Sequence, residues 1–278
     1  MKDHRLIVDG HVHFYEPGHV QTALSAASAN FRSTARSSGI GVDYGLLMLA
    51  DPGASPGFKW ATRLPYADSP EDLSDKWQVV SNPDDSVLHV AKVGALPIAI
   101  LAGRQVISSE NLEVLIFPPG GIGKEMLPVT ELVGQAAQRR ALVIIPWGVG
   151  KWFGKRGQIV SSILSDSVDG QVLVGDNGGR PRIWNRVRLL EDARARGIPN
   201  IAGTDPLPVP GEERRVGTFG VSVSAAVSHE WTTEDFLTVL RKEISVPFGR
   251  QMSATGFIRK QLALRIKKRS ANTASTAD

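Results

Sequence analysis

The stretch "LIVDGHVHFY", residues 6 to 15, places two histidines one residue apart directly after a short apolar run. If this run continues as a β-strand, successive side chains point to opposite faces, so Asp9, His11 and His13 share one face. Two imidazoles and a carboxylate side by side suit a divalent ion such as zinc, manganese or iron when no thiolate is offered. The competing interpretation is a chance H-x-H pair on a surface loop, and the rest of the chain decides between the two.

The composition is that of an ordinary globular protein. The chain has 278 residues, of which 42% are hydrophobic and 22% charged, which is enough for one large core. It contains no Cys, so a metal would be held by His, Asp, Glu or water. The first residues lack the apolar segment of a signal peptide, and no run approaches the ~18 apolar residues of a membrane span. We therefore expect a cytoplasmic location.

Apolar runs alternate with helix-like segments along most of the chain. Predicted strands cover 6–9, 42–49, 86–92, 97–102, 112–117, 141–146, 171–175 and 200–204, and predicted helices cover 19–38, 68–77, 127–140, 183–196 and 232–244. Several strands are near-continuous apolar runs, as expected for strands covered on both faces. The alternation predicts an α/β fold, a distorted TIM-like (β/α)7-8 barrel that is closed or nearly closed and forms a single domain over residues 1–256.

Active sites of such barrels lie at the carboxyl ends of the strands. Three loops that follow predicted strands are rich in Gly and polar residues: "WGVGKWFGKRG" from 147, "DNGGRP" from 176 and "TDPLP" from 204. Together with His11 and His13, they predict a site that contains the carboxylates of Asp176 and Asp205. Positive charge is expected there from Lys151, Lys155, Arg156 and Arg180.

The order of these motifs resembles that of the PHP domain of metal-dependent phosphoesterases and, more distantly, that of the amidohydrolase barrels. The motifs are the H-x-H, the hairpin "GRQVIS" (103–108) followed by "LEVLIF" (112–117), "VIIPW" (143–147), "DNGGRP" (176–181) and "GTD" (203–205). They extend over most of residues 6 to 225. The resemblance implies that His11, His13 and Asp205 are metal ligands.

The chain departs from the family pattern at three expected ligands. Gln105 stands where the family carries a bridging Glu, Trp147 where it carries a His, and Leu207 where a second His follows the late Asp. A neutral amide is a poor bridge between cations, and indole and isobutyl groups cannot ligate. The surviving residues therefore predict a single ion, with water in its open positions, rather than a cluster of two or three ions.

These observations predict a metal-dependent hydrolase that uses metal-activated water on an anionic small molecule or sugar derivative, most simply a phosphoester. The catalytic candidates are Asp205, Lys151 and Arg180, and the substrate-binding candidates are Arg156, Asn177 and Trp147. The alternatives are a PHP-like barrel without catalysis that serves as a binding or scaffold protein, and an amidohydrolase acting on an amide or lactone. The basic loops lack the interleaved aromatic residues of a nucleic-acid module, so no nucleic-acid partner is expected.

The C-terminal region is strongly basic. The segment "FIRKQLALRIKKR", residues 257–269, carries six of the 32 Lys and Arg and no acid. It is predicted to form a basic amphipathic helix, which either packs on the domain with a solvated basic face or rests weakly on an anionic membrane surface. Residues 270–278, "SANTASTAD", are predicted to be a disordered tail.

If residues 257–269 rest on a membrane, vesicles of anionic lipid should sediment the protein, and high salt should release it. Binding should be weak, because one amphipathic helix without a lipid anchor attaches only marginally. Co-sedimentation with phosphatidylserine vesicles measures this, and uncharged phosphatidylcholine vesicles are the control. Equal recovery of a chain truncated after Gly256 would contradict a membrane role for this segment.

Overall fold

The computed structural model of the protein describes residues 5–52, 56–121, 126–166, 170–184, 186–242, 246–253 and 255–257. The predicted C-terminal helix over 257–269 therefore lies outside the described residues apart from Phe257, and so does the predicted tail over 270–278. Across these ranges, no helix combines the length and the apolar character that a bilayer crossing requires.

Strands and helices alternate along the described chain. The strands are β1 (Arg5–Val12), β2 (Tyr44–Pro52), β3 (Gln78–Asp84), β4 (Val87–Ala91), β5 (Ile98–Ile107), β6 (Glu113–Phe117), β7 (Leu142–Pro146), β8 (Val172–Gly175), β9 (Phe219–Ser224) and β10 (Val246–Gly249). The helices are α1 (His19–Ser38), α2 (Gly57–Ala61), α3 (Val129–Gln138), α4 (Lys155–Asp166), α5 (Arg188–Ala195) and α6 (Thr233–Lys242), and short 3-10 turns cover Pro70–Asp72 and Glu212–Arg215.

The strands form one curled sheet in the order β10-β9-β1-β2-β5-β6-β7-β8, with β4 beside β5 and β3 beside β4. The pairs β1–β2, β2–β5 and β7–β8 are parallel, whereas β6, β9 and β10 run antiparallel to their neighbours. The long strand β5 pairs with β4 along its first half and with β6 along its second half. The β5–β6 pair is the hairpin predicted from "GRQVIS" and "LEVLIF".

The sheet separates an inner core from two outer layers. The inner core contains side chains such as Leu6, Val8 and Met48 and is covered by α6. On the outer face, α1 packs against the sheet through apolar residues at helical spacing, such as Val20, Leu24 and Phe31. The helices α3, α4 and α5 cover the outer face of β6, β7 and β8.

The ladder of strands does not close into a barrel, because β8 and β1 do not pair with each other among the described strands. A crossing segment, residues 200–205, lies between them. On one side the amide of Ile201 donates to the carbonyl of Val174 at 2.8 Å, and on the other the amide of Gly10 donates to the carbonyl of Ala202 at 2.9 Å. The α/β class is thus confirmed, but the TIM-like barrel is corrected to a curled half-barrel with an irregular segment at its seam.

Several predicted elements differ from the observed ones for local reasons. Residues 200–204 were expected to be a strand, but they form only the isolated bridges Val174–Asn200 and Asn177–Gly203, and the chain then turns at Asp205, whose φ is 46°. The predicted helix over 68–77 contains only the 3-10 turn Pro70–Asp72, since the segment has few apolar residues to bury. Helix α4 begins inside the predicted loop, so Lys155 and Arg156 belong to its first turn.

A bulge in β1 determines which of its side chains face the inner core. Asp9 pairs with Leu47 and Val12 pairs with Leu49, so β1 has one extra residue between these two pairs. Before the bulge, Leu6 and Val8 face inward; after it, Val12 packs on the outer face. By strand alternation His11 and His13 therefore point inward, whereas Asp9 points to the opposite face. The prediction that all three share one face is wrong because the bulge changes the alternation.

The Asp9 carboxylate joins β1 to two distant parts of the chain. It accepts hydrogen bonds from the amide and hydroxyl of Thr204 at 2.8 and 2.6 Å and from the amide of Gly217 at 2.8 Å. Burial raises the pKa of Asp9 to about 6, and these hydrogen bonds oppose the rise. Asp9 is therefore a structural residue that fixes the crossing segment against β1.

The crossing segment approaches β1 too closely for any side chain at position 203. A Cβ on Gly203 would lie 2.2 Å from the His11 amide nitrogen and 2.6 Å from the His11 Cβ. Gly203→Ala should lower the free energy of unfolding by about 2–3 kcal/mol, because the backbone of β1 has to move to admit the methyl group. Denaturant unfolding measures this.

Gly134→Ala is the matched control, because a Cβ at this position in α3 meets nothing within 4 Å. Alanine is the better helix former, so this change should be neutral or raise stability by up to about 1 kcal/mol. Equal stability of the two variants would contradict the close packing of the crossing segment on β1.

Candidate functional site

His11, His13 and Asp205 form a compact group where β1 meets the crossing segment, and their ligand atoms lie within 4.8 Å of one another. Asp205 Oδ1 lies 3.4 Å from His13 Nε2 and 3.8 Å from His11 Nε2. Two ligands about 2.1 Å from a tetrahedral ion lie roughly 3.4 Å apart, so this spacing fits a small transition-metal ion. We call these residues the triad; they could bind a metal ion, as the sequence predicted.

The electrostatics of the triad suit metal binding. Burial lowers the pKa of His11, although the Asp205 carboxylate opposes this. For Asp205, burial acts to raise the pKa, but the neighbouring His11 and His13 rings and the Asn177 amide together hold it well below its usual range. A neutral imidazole and an ionised carboxylate are the forms in which these side chains bind metals.

Asn177 holds the Asp205 carboxylate in place. Its Nδ2 donates to Asp205 Oδ2 at 2.6 Å, which leaves Oδ1 directed at the two histidines. The Asp205 amide also donates to the His11 carbonyl at 2.8 Å, so both the backbone and the side chain of Asp205 are fixed relative to β1.

Gln105, on β5, lies directly beside the triad. Its Oε1 is 3.1 Å from His11 Nε2, the nitrogen that also faces Asp205. In the described part of the chain, the Nδ1 atoms of His11 and His13 are buried without a hydrogen-bond partner. The Nε2 atoms are the candidate ligands because both face Asp205 Oδ1, and the amide oxygen of Gln105 lies beside the Nε2 of His11.

A cavity of about 390 Å³ opens beside Asp205, and the rings of His11 and His13 are not among its lining residues. It is lined by Asp205, Asn177, Lys151, Trp147 and Glu113, among others. The Lys151 ammonium pairs with Glu113 at 2.6 Å, which holds its positive charge at the cavity wall. The structure thus brings three of the sequence-predicted residues, Lys151, Asn177 and Trp147, to the same cavity as Asp205. We call it the triad cavity.

The structure does not bring Arg156 or Arg180 to the lining of the triad cavity. The buried Arg180 guanidinium donates to both oxygens of Asp176, at 2.8 and 2.6 Å, and to the carbonyl of Trp184. Arg156 donates to the carbonyl of Gly150 at 2.6 Å. Both arginines therefore hold protein atoms, and Lys151 is the predicted cation that lines this cavity.

Sequence reasoning missed Glu113 and Asp51. Glu113 begins β6, and because β6 is antiparallel to β5, its first residue lies near the carboxyl end of β5. Asp51 lies near the end of β2; burial raises its pKa to about 6, while the Phe58 amide and His13 oppose the rise. The position of Asp51 after the apolar run "GLLML" was a usable signal, since sites of such folds lie at strand ends.

Comparison with known proteins shows similar folds. No protein-family model and no curated protein matches the chain. Among solved structures, PsfC from Pseudomonas syringae PB-5123 has a TM-score of 0.58 and 13% identity, over 96% of this chain and 99% of that one. The lesion-specific endonuclease PfuEndoQ from Pyrococcus furiosus has a TM-score of 0.51 and 11% identity, over 87% of this chain but only 57% of the endonuclease. At these identities the likeness shows the fold alone.

Removal of the Arg180 guanidinium would leave the buried Asp176 carboxylate without its cation. Arg180→Ala should therefore lower the free energy of unfolding by about 3–5 kcal/mol. The control is Arg188→Ala, which removes an exposed ion pair with Asp192 at 3.6 Å and should cost less than about 1 kcal/mol. Denaturant unfolding compares the two. An Arg180→Ala protein of normal stability would show that the guanidinium is not needed for the fold.

Proposed function

We propose that the protein is a metal-dependent hydrolase that cleaves an anionic ester, most simply a phosphoester, at the triad. The observation that carries the proposal is that two buried imidazoles converge on the Asp205 carboxylate, and that Asp205 lines a cavity that Lys151 also lines. The ordered motifs that resemble the PHP phosphoesterases, and the similarity of fold to an endonuclease, support the same class of reaction.

The cofactor we propose is a single zinc, manganese or iron ion held by His11, His13 and Asp205. The donor set favours one ion, because Trp147 and Leu207, which replace expected family ligands, offer no donor atom. When bound, the ion would polarise the ester oxygen and lower the pKa of a water molecule at its open position.

The protein's own residues bind and orient the reactants. Lys151 faces the triad cavity with its ammonium fixed by Glu113, so it is placed to bind the negative charge of the substrate. Asn177 keeps the Asp205 carboxylate turned toward the histidines. The buried Trp147 ring forms an apolar wall that limits where the ester can lie. Arg180 and Arg156 hold the surrounding loops through the contacts described above.

The second candidate function is a binding or scaffold protein of the same fold without catalysis. It is favoured by the Nδ1 atoms of His11 and His13, which have no partner among the described residues, whereas metal-binding histidines usually donate this proton to a carboxylate or carbonyl. The hydrogen bond from His11 Nε2 to Gln105 Oε1 also gives this nitrogen a partner without an ion.

Protein purified without chelator should contain about one equivalent of a transition metal. His11→Ala and His13→Ala should each lose most of it, together with phosphatase activity, because each removes a ligand. Gln105→Glu should raise metal occupancy, since it adds a negative charge beside His11 Nε2. Elemental analysis and phosphate release from a panel of phosphoesters measure this, with a lactone and an anilide as test substrates for amidohydrolase activity.

His229→Ala is the control, because this histidine is exposed and lies outside the triad. It should leave both metal content and activity unchanged. A protein that is free of metal under all conditions, and that folds equally well with both triad histidines replaced, would favour the scaffold function instead.

A further inference from the structure

A second cavity, of about 540 Å³, shares the Trp147 side chain with the triad cavity. Its other aromatic walls are Trp152, Phe153 and Trp184, so we call it the tryptophan cavity. Volumes of this size are typical of small-molecule sites, and four aromatic side chains around one cavity form an apolar surface suited to flat rings. The hydrolase function described above does not account for it.

Large apolar side chains are unusually exposed around the tryptophan cavity. Phe153 is 63% exposed and Trp184 is 37% exposed, and both line the cavity. Exposed aromatic groups that cluster around a concavity mark binding sites, because leaving them in water is unfavourable. Gly150 and Gly154, with φ of 71° and 58°, bracket the turn that presents Trp152 and Phe153.

Side-chain contacts connect the tryptophan cavity to the loops beside the triad. The rings of Trp147 and Trp184 meet edge to face with centroids 5.6 Å apart, and the Arg180 guanidinium carbon lies 5.9 Å from the Trp147 centroid. Arg180 also donates to the Trp184 carbonyl. The Asp176–Arg180 ion pair therefore fixes two of the aromatic walls, while its neighbour Asn177 orients Asp205.

We propose that the tryptophan cavity binds a flat aromatic ring of the substrate, and that the substrate is a phosphoester of a nucleoside or a similar ring-bearing alcohol. This rests on the proposed hydrolase function, because the shared wall at Trp147 places the ester in the triad cavity when the ring lies in the tryptophan cavity. Flat rings stack on tryptophan and phenylalanine whatever their exact chemistry. Gln158 and Ser161, which also line the cavity, offer hydrogen bonds to polar atoms at the edge of a ring.

Charge also favours an anionic ring-bearing ligand. Two arginines, Arg186 and Arg188, and one carboxylate, Asp192, line the cavity. Arg188 pairs with Asp192 at 3.6 Å, so the lining carries one net positive charge. The other occupant to consider is the chain beyond Phe257, whose ring lies 6.4 Å from that of Trp184. That segment carries six cations and no acid over 257–269, so the net positive charge of the lining would repel it.

Two measurements on the full-length protein test this. The first compares the binding of adenosine with that of ribose by calorimetry. Neither compound contains a phosphoester, so their binding does not depend on hydrolysis. Adenosine should bind and ribose should not. Trp184→Ala and Phe153→Ala should each lower the affinity for adenosine roughly tenfold, which is the loss expected for one stacking partner. Tyr66→Ala removes an exposed aromatic side chain that lines neither cavity and should change nothing.

The second measurement compares kcat/KM for adenosine 5′-phosphate and ribose 5-phosphate. The ring should raise kcat/KM about tenfold or more, and Trp184→Ala should bring the ratio of the two kcat/KM values close to one. Equal values for the two substrates, or adenosine affinity that is unchanged in both aromatic variants, would overturn the proposal. So would adenosine binding that occurs only after truncation following Gly256, because the chain's own C-terminal segment would then occupy the cavity.

The outcomes separate the ring site from the hydrolase function. If the ring preference is absent but the triad still releases phosphate from both esters, the aromatic substrate class is wrong and the hydrolase function stands. If neither ester is cleaved but adenosine binds through Trp184, the ring site stands and the hydrolase function fails.

Discussion

The close contact between β1 and the crossing segment is the constraint on which the rest of the structure depends. Gly203 lies directly against the His11 backbone, and the buried Asp9 carboxylate accepts hydrogen bonds from Thr204 and Gly217. The same contact spans the seam that the regular strands leave open and places Asp205 opposite the two histidines. Without this contact the seam would stay open and Asp205 would not lie opposite the histidines. The same hydrogen bonds therefore stabilise the fold and position the triad.

Sequence periodicity predicted most of the sheet, and the resemblance to the PHP motifs pointed to the members of the triad, but neither gave the orientation of their side chains. The H-x-H stood out by its spacing after an apolar run, and Asp205 was assigned as its partner through the resemblance to the PHP motifs. The position of Asp9 was predicted wrongly, because the bulge between Asp9 and Val12 leaves no periodic signal in residues 6 to 15. Arg180 was predicted to contact a ligand because it is a cation in a Gly-rich loop. The fold shows instead that its guanidinium donates hydrogen bonds to Asp176, four residues earlier.

Charged side chains around the candidate site fall into two kinds. The first kind is buried and bonded to other protein groups. Asp9 accepts hydrogen bonds from backbone amides, and Arg180 donates to Asp176, so these residues hold the loops in place. Lys151 and Asp205 remain partly accessible and line a cavity. A binding site needs both kinds, because the side chains that contact a ligand must be held in position by neighbouring residues that do not contact it.

The long sequence separation within the triad has a consequence for how the protein matures in a cell. His11 leaves the ribosome early, whereas Asp205 follows only after most of the chain has been made. At ~5–20 residues per second, the histidines wait roughly 10–40 s for their carboxylate partner. During that interval β1 can pair with β2, which is made soon afterwards, but the third ligand is still missing. The complete triad therefore exists only after the crossing segment has docked, and until then the nascent chain offers only the two histidines.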